Sequence, residues 1–217
     1  MTDTAVKAEH AHTEGPGTHS LGHDTSTGIS NEKLAMWAFL GSECLLFGAL
    51  ISTYFLYRGR STPGTPTPHD IYDIPYTSVS SFVLLMSSLT MVLALAAIQR
   101  GDHRRLRVWL LATAALGSTF IGGQIYEFTS FIRRGLTLKT NLFGSSFFVL
   151  TGFHGVHVTL GIIMLLSLAG MSAKGRIPKE RAEIIEIAGL YWHFVDIVWI
   201  VLFTVVYLVP APHSPQF

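Results

Sequence analysis

The chain has 217 residues, of which 49% are hydrophobic and only 13% charged, with a formal net charge of +1. That charged share is roughly half what a globular protein carries, and so even a balance provides no basic face for nucleic acid. The apolar residues stand in long blocks instead of alternating with polar ones, which excludes a soluble domain. Blocks of about twenty apolar residues are what a bilayer core of roughly 30 Å requires of a helix. Continuous blocks also exclude a membrane β-barrel, whose strands alternate. The single cysteine, Cys44, falls inside the first block. It rules out an intramolecular disulfide and every two-cysteine metal motif, and is expected to pack as a small hydrophobe.

In chain order, residues 1–33 read as a flexible polar tail carrying His10, His12, His19 and His23 among acidic residues. The tail lacks the apolar core of a signal peptide and the Arg-rich amphipathic pattern of a presequence. Five spans follow, over about 34–57, 78–98, 106–131, 141–171 and 184–208, with a short tail at 209–217. The fold class is therefore an all-α membrane protein, a bundle of five transmembrane helices over 34–208. No internal repeat is visible, which gives an inverted-repeat transporter no support.

The first span holds Glu43, nine residues in, roughly 13 Å from the start of its helix at 1.5 Å per residue. An ionisable group at that depth costs several kcal/mol unless it is paired or faces a protein interior. Gly41, Ser42, Gly48 and Ala49 around it would let another helix approach closely. Two readings stay open: a protonated carboxyl bonded to a neighbouring helix, or a group that exchanges protons. The loop at 58–77, rich in Pro and Gly, reads as irregular. In the third span Ala114, Ser118 and Gly122 form a small-residue stripe suited to tight contact. Near its end Glu127 is expected to form an interfacial ion pair with Arg133 or Arg134, which lie close in sequence.

The fourth span sets His154 and His157 on one face with Leu150 and Gly161, and the fifth sets Glu186, Gly189, His193 and Asp196 on one stripe. Both stripes must turn inward, and the simplest arrangement packs one against the other as a buried polar network. Imidazoles with carboxylates can hold a metal. The motifs here, His-x-x-His and His-x-x-Asp, do not match the Glu-x-x-His of di-iron bundles, so a hydrogen-bonded network without metal is expected.

Lys and Arg in the connections divide ten to five, the larger number on the side of the N-terminal tail and of the second and fourth loops. The excess predicts a cytoplasmic N-terminus and an external C-terminus.

The run Phe147-Phe148-Val149-Leu150-Thr151-Gly152-Phe153-His154-Gly155-Val156-His157-Val158 resembles the long-helix signature of the cytochrome c oxidase subunit III family. Tyr191-Trp192-His193-Phe194-Val195-Asp196-Ile197-Val198-Trp199 resembles that family's last-helix signature, and Phe39-Leu40-Gly41-Ser42-Glu43 the segment carrying its buried glutamate. Gln124, Tyr126, Glu127 and Phe128 fit as well, and the resemblance covers about 34–208. It departs from the seven-helix form by lacking the first two helices, as the five-helix bacterial type does. The resemblance implies a bacterial cytoplasmic-membrane subunit that binds no haem or copper itself, holds structural phospholipid, and packs on the haem- and copper-bearing subunit I beside subunit II. It also implies that Glu43 supports proton uptake and that the subunit helps protect the catalytic centre during turnover.

The rival within the superfamily is subunit III of a quinol oxidase. Glu43, Phe153 and residues 191–196 look more like the cytochrome c branch, whereas residues 203–208 suit the quinol branch as well. More distant alternatives are an accessory subunit of nitric oxide reductase and a stand-alone transporter.

Overall fold

Five long helices carry nearly all of the residues that the computed structural model describes, namely 30–58, 74–137, 142–178 and 181–209. They are α1 (Asn31–Tyr57), α2 (Ile74–Gln99), α3 (His103–Arg133), α4 (Leu142–Ala173) and α5 (Ala182–Phe203), the last continued by a π-helical turn, Thr204–Leu208. All five are long and apolar enough to cross a membrane, α5 together with its π turn. The tail histidines His10, His12, His19 and His23, most of the Pro/Gly loop and residues 210–217 lie outside the described residues.

Local chemistry sets the helix ends. The Ser30 hydroxyl accepts the Lys33 N–H at 3.3 Å, and the Asp102 carboxylate accepts those of Arg104 and Arg105 at 3.1 and 2.9 Å, side-chain caps for orphaned first-turn donors. Asp102 explains why α3 starts at His103 and not at 106: its first turn is charged and invisible to hydropathy. Helix α2 likewise starts at Ile74, ahead of the apolar block, with Pro75 in its first turn, where a missing N–H costs nothing. Helices α2, α3 and α4 all stop at a glycine of positive φ, Gly101, Gly135 and Gly175, and the next N–H reaches back five residues to the helix. This is the Schellman ending, which favours a residue without Cβ.

Helix α3 packs between α2 and α4, α5 lies on α2 and α4, and α1 rests on α4 and α5. Two tryptophans of α5 hold the centre. Trp192 donates to Ser87 Oγ at 2.9 Å and Trp199 to Ser81 Oγ at 2.8 Å, so two turns of α5 grip α2 through the same pairing. The Trp192 ring is fully buried between α3 and α4, where a Cβ at Gly117 or Gly161 would stand 2.7 or 2.8 Å from its edge. The stripe expected on α3 is thus corrected. Ala114 is buried, but Ser118 and Gly122 are not, and Gly117 makes the close approach. Cys44 is exposed on the outer face of α1 and does not pack inside.

Candidate functional site

Position 43 of α1 and position 157 of α4 meet at the flank of the bundle. Glu43 Oε2 lies 3.1 Å from His157 Nε2, and His157 Nδ1 lies 2.8 Å from the Phe153 carbonyl oxygen. A carbonyl can only accept, so Nδ1 carries a hydrogen. The imidazole is then either neutral, with Nε2 accepting from a protonated Glu43, or cationic, with Nε2–H donating to a carboxylate. In both forms one proton sits between Nε2 and Oε2 and the pair is neutral overall. This explains how a carboxyl is tolerated at membrane depth.

Neighbours fix the pair. The Tyr191 hydroxyl donates to the His157 carbonyl at 3.0 Å, the Phe47 ring meets the imidazole edge-on at 5.2 Å, and Phe39 stacks on Tyr191 at 6.3 Å. The side chains of Glu43 and His157 keep 14% and 11% of their surface exposed, so the shared proton lies within reach of whatever borders the bundle there.

The remaining polar residues do not join this pair into one network. His154 is fully buried, stacked on Trp199 at 4.9 Å with Phe120 edge-on at 5.9 Å, and neither ring nitrogen has a hydrogen-bond partner among the described residues. Asp196 is also buried, and neither of its oxygens meets a donor at hydrogen-bond geometry among the described residues. The Ser88 hydroxyl close to it is engaged 2.6 Å from His193 Nδ1. Glu186 lies at the periphery, 2.6 Å from Lys33 Nζ, and beside it Ser30 hydrogen-bonds Glu183. The expected packing of the α4 stripe on the α5 stripe is therefore corrected. His157 faces α1, whereas His193 and Gly189 face α2, where Gly189 neighbours Met91.

The Glu127 ion pair is corrected too. Glu127 is buried, and its Oε1 accepts from Thr77 Oγ1 at 2.8 Å and Tyr207 O–H at 3.1 Å, while among the described ion pairs neither Arg133 nor Arg134 meets it. Arg133 and Arg134 are exposed at the helix end. Six or seven residues along a helix is nearly two turns, too far for a buried carboxylate to follow. Among the described residues no three His, Cys, Asp or Glu side chains converge in a way that would hold a metal ion.

The family model for cytochrome c oxidase subunit III matches residues 13–210. Among similar proteins, a quinol oxidase subunit 3 of Bacillus spizizenii is 37% identical over 93% of this chain and 96% of its own length. A cytochrome c oxidase subunit 3 of Bacillus sp. strain PS3 is 38% identical over 82% of this chain and 86% of its own. A cytochrome c oxidase subunit 3 of Thermostichus vulcanus is 35% identical over 94% of both. With five membrane-spanning helices and the long-helix, last-helix and glutamate segments in order, the chain belongs to the cytochrome c oxidase subunit III family, as a multi-pass bacterial membrane subunit of a multi-subunit respiratory oxidase.

Proposed function

We propose that the chain is the non-catalytic subunit III of a proton-translocating cytochrome c oxidase in the bacterial cytoplasmic membrane. In this reading it packs directly on subunit I, with subunit II in the same complex, and its N-terminus is cytoplasmic and its C-terminus external. It binds structural phospholipid and leaves haem, copper and the oxygen chemistry to its partners. The Glu43–His157 pair takes up and returns protons on the side from which subunit I draws them.

The observation that carries this reading is the 3.1 Å approach of Glu43 Oε2 to His157 Nε2 at a partly exposed flank. A carboxyl and an imidazole in hydrogen-bond reach of each other can both hold and hand on a proton. The ten-to-five division of Lys and Arg supports the orientation that sets the pair toward the cytoplasm. The choice of cytochrome c over quinol rests on Glu43, Phe153 and residues 191–196, since relatives carry both names at closely similar identity.

The test is Glu43→Gln in the purified complex. Glutamine keeps the shape and still hydrogen-bonds His157, but it exchanges no proton. The variant complex is expected to assemble with full haem content and then to take up protons more slowly or lose oxygen consumption faster over many turnovers. An assembled variant matching wild type on both measures would make Glu43 a structural residue. A copper site in subunit II of that complex would support the cytochrome c donor; its absence would favour quinol.

A further inference from the structure

Where α5 meets α2, an ionisable side chain is buried with little to bond. Asp196 keeps 2% of its surface exposed, and neither carboxyl oxygen has a hydrogen bond among the described residues. A bare charge in that place costs several kcal/mol, so the carboxyl must hold a proton or share one with a neighbour. Most of its surroundings cannot help. Trp192 and Trp199, four residues before it and three after, commit their indole N–H groups to Ser87 and Ser81. Helix α2 carries no charged residue. His154 of α4 is stacked on the Trp199 ring, and Glu43 of α1 is held by His157.

The polar group close to Asp196 is the Ser88 hydroxyl, which stands 2.6 Å from Nδ1 of His193, one turn back on α5. Ser81 and Ser87 donate their hydroxyl hydrogens to their own helix, at the Thr77 and Leu84 carbonyls. Ser88 makes no such bond among those described, so its hydrogen can turn toward either neighbour. A hydroxyl both donates and accepts, and two arrangements therefore satisfy all three groups. In one, the Asp196 O–H donates to Ser88 Oγ and Ser88 donates to a neutral His193. In the other, His193 Nδ1–H donates to Ser88 Oγ and Ser88 donates to the Asp196 carboxylate. The two differ by one proton moved from carboxyl to imidazole, and the set is neutral in both. Ser88 and His193 are only half-buried, so through them the buried carboxyl reaches the flank of the bundle.

We propose that Asp196, Ser88 and His193 form a proton-exchange site of their own, with Asp196 as its buried store and His193 as its mouth. On release the Asp196 O–H bond breaks, its proton goes to Ser88 Oγ, and the Ser88 proton goes to His193 Nδ1. The imidazolium then loses its Nε2 proton to water or another acceptor bordering the flank, which leaves Asp196 a carboxylate. Uptake runs the same steps backwards. Transfers of this kind need groups positioned in hydrogen-bond reach of one another. The site opens between α2 and α5, whereas the Glu43–His157 pair opens between α1 and α4, and neither feeds the other.

The experiment transfers the purified oxidase complex from water to heavy water and follows it by infrared difference spectroscopy. A protonated carboxyl has a carbonyl band that shifts on deuteration. Wild type is expected to show such a band that Asp196→Asn removes, or that Asp196→Glu moves where the asparagine variant does not assemble. Ser88→Ala keeps the carboxyl and the imidazole but not the hydroxyl between them. It should slow the shift roughly a hundredfold, the low end of what a positioned proton-transfer group contributes. Glu43→Gln should leave the Asp196 shift unaltered. Absence of any band dependent on Asp196 would mean a carboxyl ionised throughout, and a band that never shifts would make Asp196 a locked structural group; either result overturns the proposal. A Ser88→Ala complex exchanging at the wild-type rate overturns it too. So does a slower Asp196 shift in Glu43→Gln, which would make the site a branch of the Glu43 pair.

Discussion

Substitution of Gly161 by alanine sets a steric clash in the centre of the bundle against a gain in helix propensity. The new Cβ would stand 2.8 and 2.9 Å from Cζ3 and Cε3 of Trp192 and 3.3 Å from Cε1 of Tyr191. The indole has nowhere to retreat. Its Nε1–H is held by Ser87 at 2.9 Å, and its other edge already abuts Gly117, where a Cβ would stand 2.7 Å away. Overpacking of this kind costs about 1–3 kcal/mol, while replacing glycine in a helix returns up to about 1 kcal/mol. Gly152 supplies the reference, since it lies on the same helix and a Cβ there meets nothing within 4 Å. Gly152→Ala should therefore register the propensity gain alone. The difference between the two variants isolates the clash, expected at about 1–3 kcal/mol. Unfolding of the purified subunit in mixed micelles on titration with a denaturing detergent measures both. Trp192→Phe should shrink the difference, because the smaller ring yields the space. Equal midpoints for the two alanine variants, or a difference that persists undiminished when each is combined with Trp192→Phe, would refute the packing argument.

Three further outcomes are expected. Glu127→Ala removes the acceptor of Thr77 and Tyr207 and should cost about 1–3 kcal/mol, read as earlier thermal dissociation of the complex. The exposed Arg133→Gln should shift that dissociation by under ~0.5 kcal/mol, and equal losses would restore the ion pair that sequence proximity suggests. With Cys44 replaced by serine, a cysteine at exposed Arg133 should react with an impermeant thiol reagent in intact cells and one at exposed Lys174 should not, the reverse pattern overturning the proposed orientation. The subunit separated from its partners should carry no stoichiometric zinc, iron, copper or haem by elemental and spectral analysis; one tightly held metal lost on His157→Ala would contradict this.

What the sequence revealed follows from the range of each interaction. Length and apolarity are properties of one helix, so all five spans were legible, with errors confined to the helix ends, as at the charged first turn after Asp102 and the Pro75-containing first turn of α2. Helix-to-helix assignments were not legible to the same degree. Glu43 and His157 stand 114 residues apart and Lys33 and Glu186 stand 153 apart, and no local pattern pairs them. The stripes on α4 and α5 correctly mark faces that carry polar groups, but periodicity says nothing about which neighbour each face meets. Reading Glu127 through its nearest arginines failed because adjacency in sequence is a poor guide to adjacency around a helix. Trp192 and Trp199 were quoted only as parts of a motif; the signal that would have found their role is the pair of serines, Ser81 and Ser87, on a face of the otherwise apolar α2.

The position of α1 has a consequence for biogenesis. Its packing neighbours are α4 and α5, the last helices to be made, and its start is clipped to the start of α5 through Ser30–Glu183 and Lys33–Glu186. A chain growing from its N-terminus inserts α1 first. At roughly 5–20 residues per second, some tens of residues of α2 and α3 delay the arrival of α4 by several seconds. Throughout that interval Glu43 is without its histidine, and in an apolar surrounding the neutral, protonated carboxyl is the form favoured until His157 emerges to meet it.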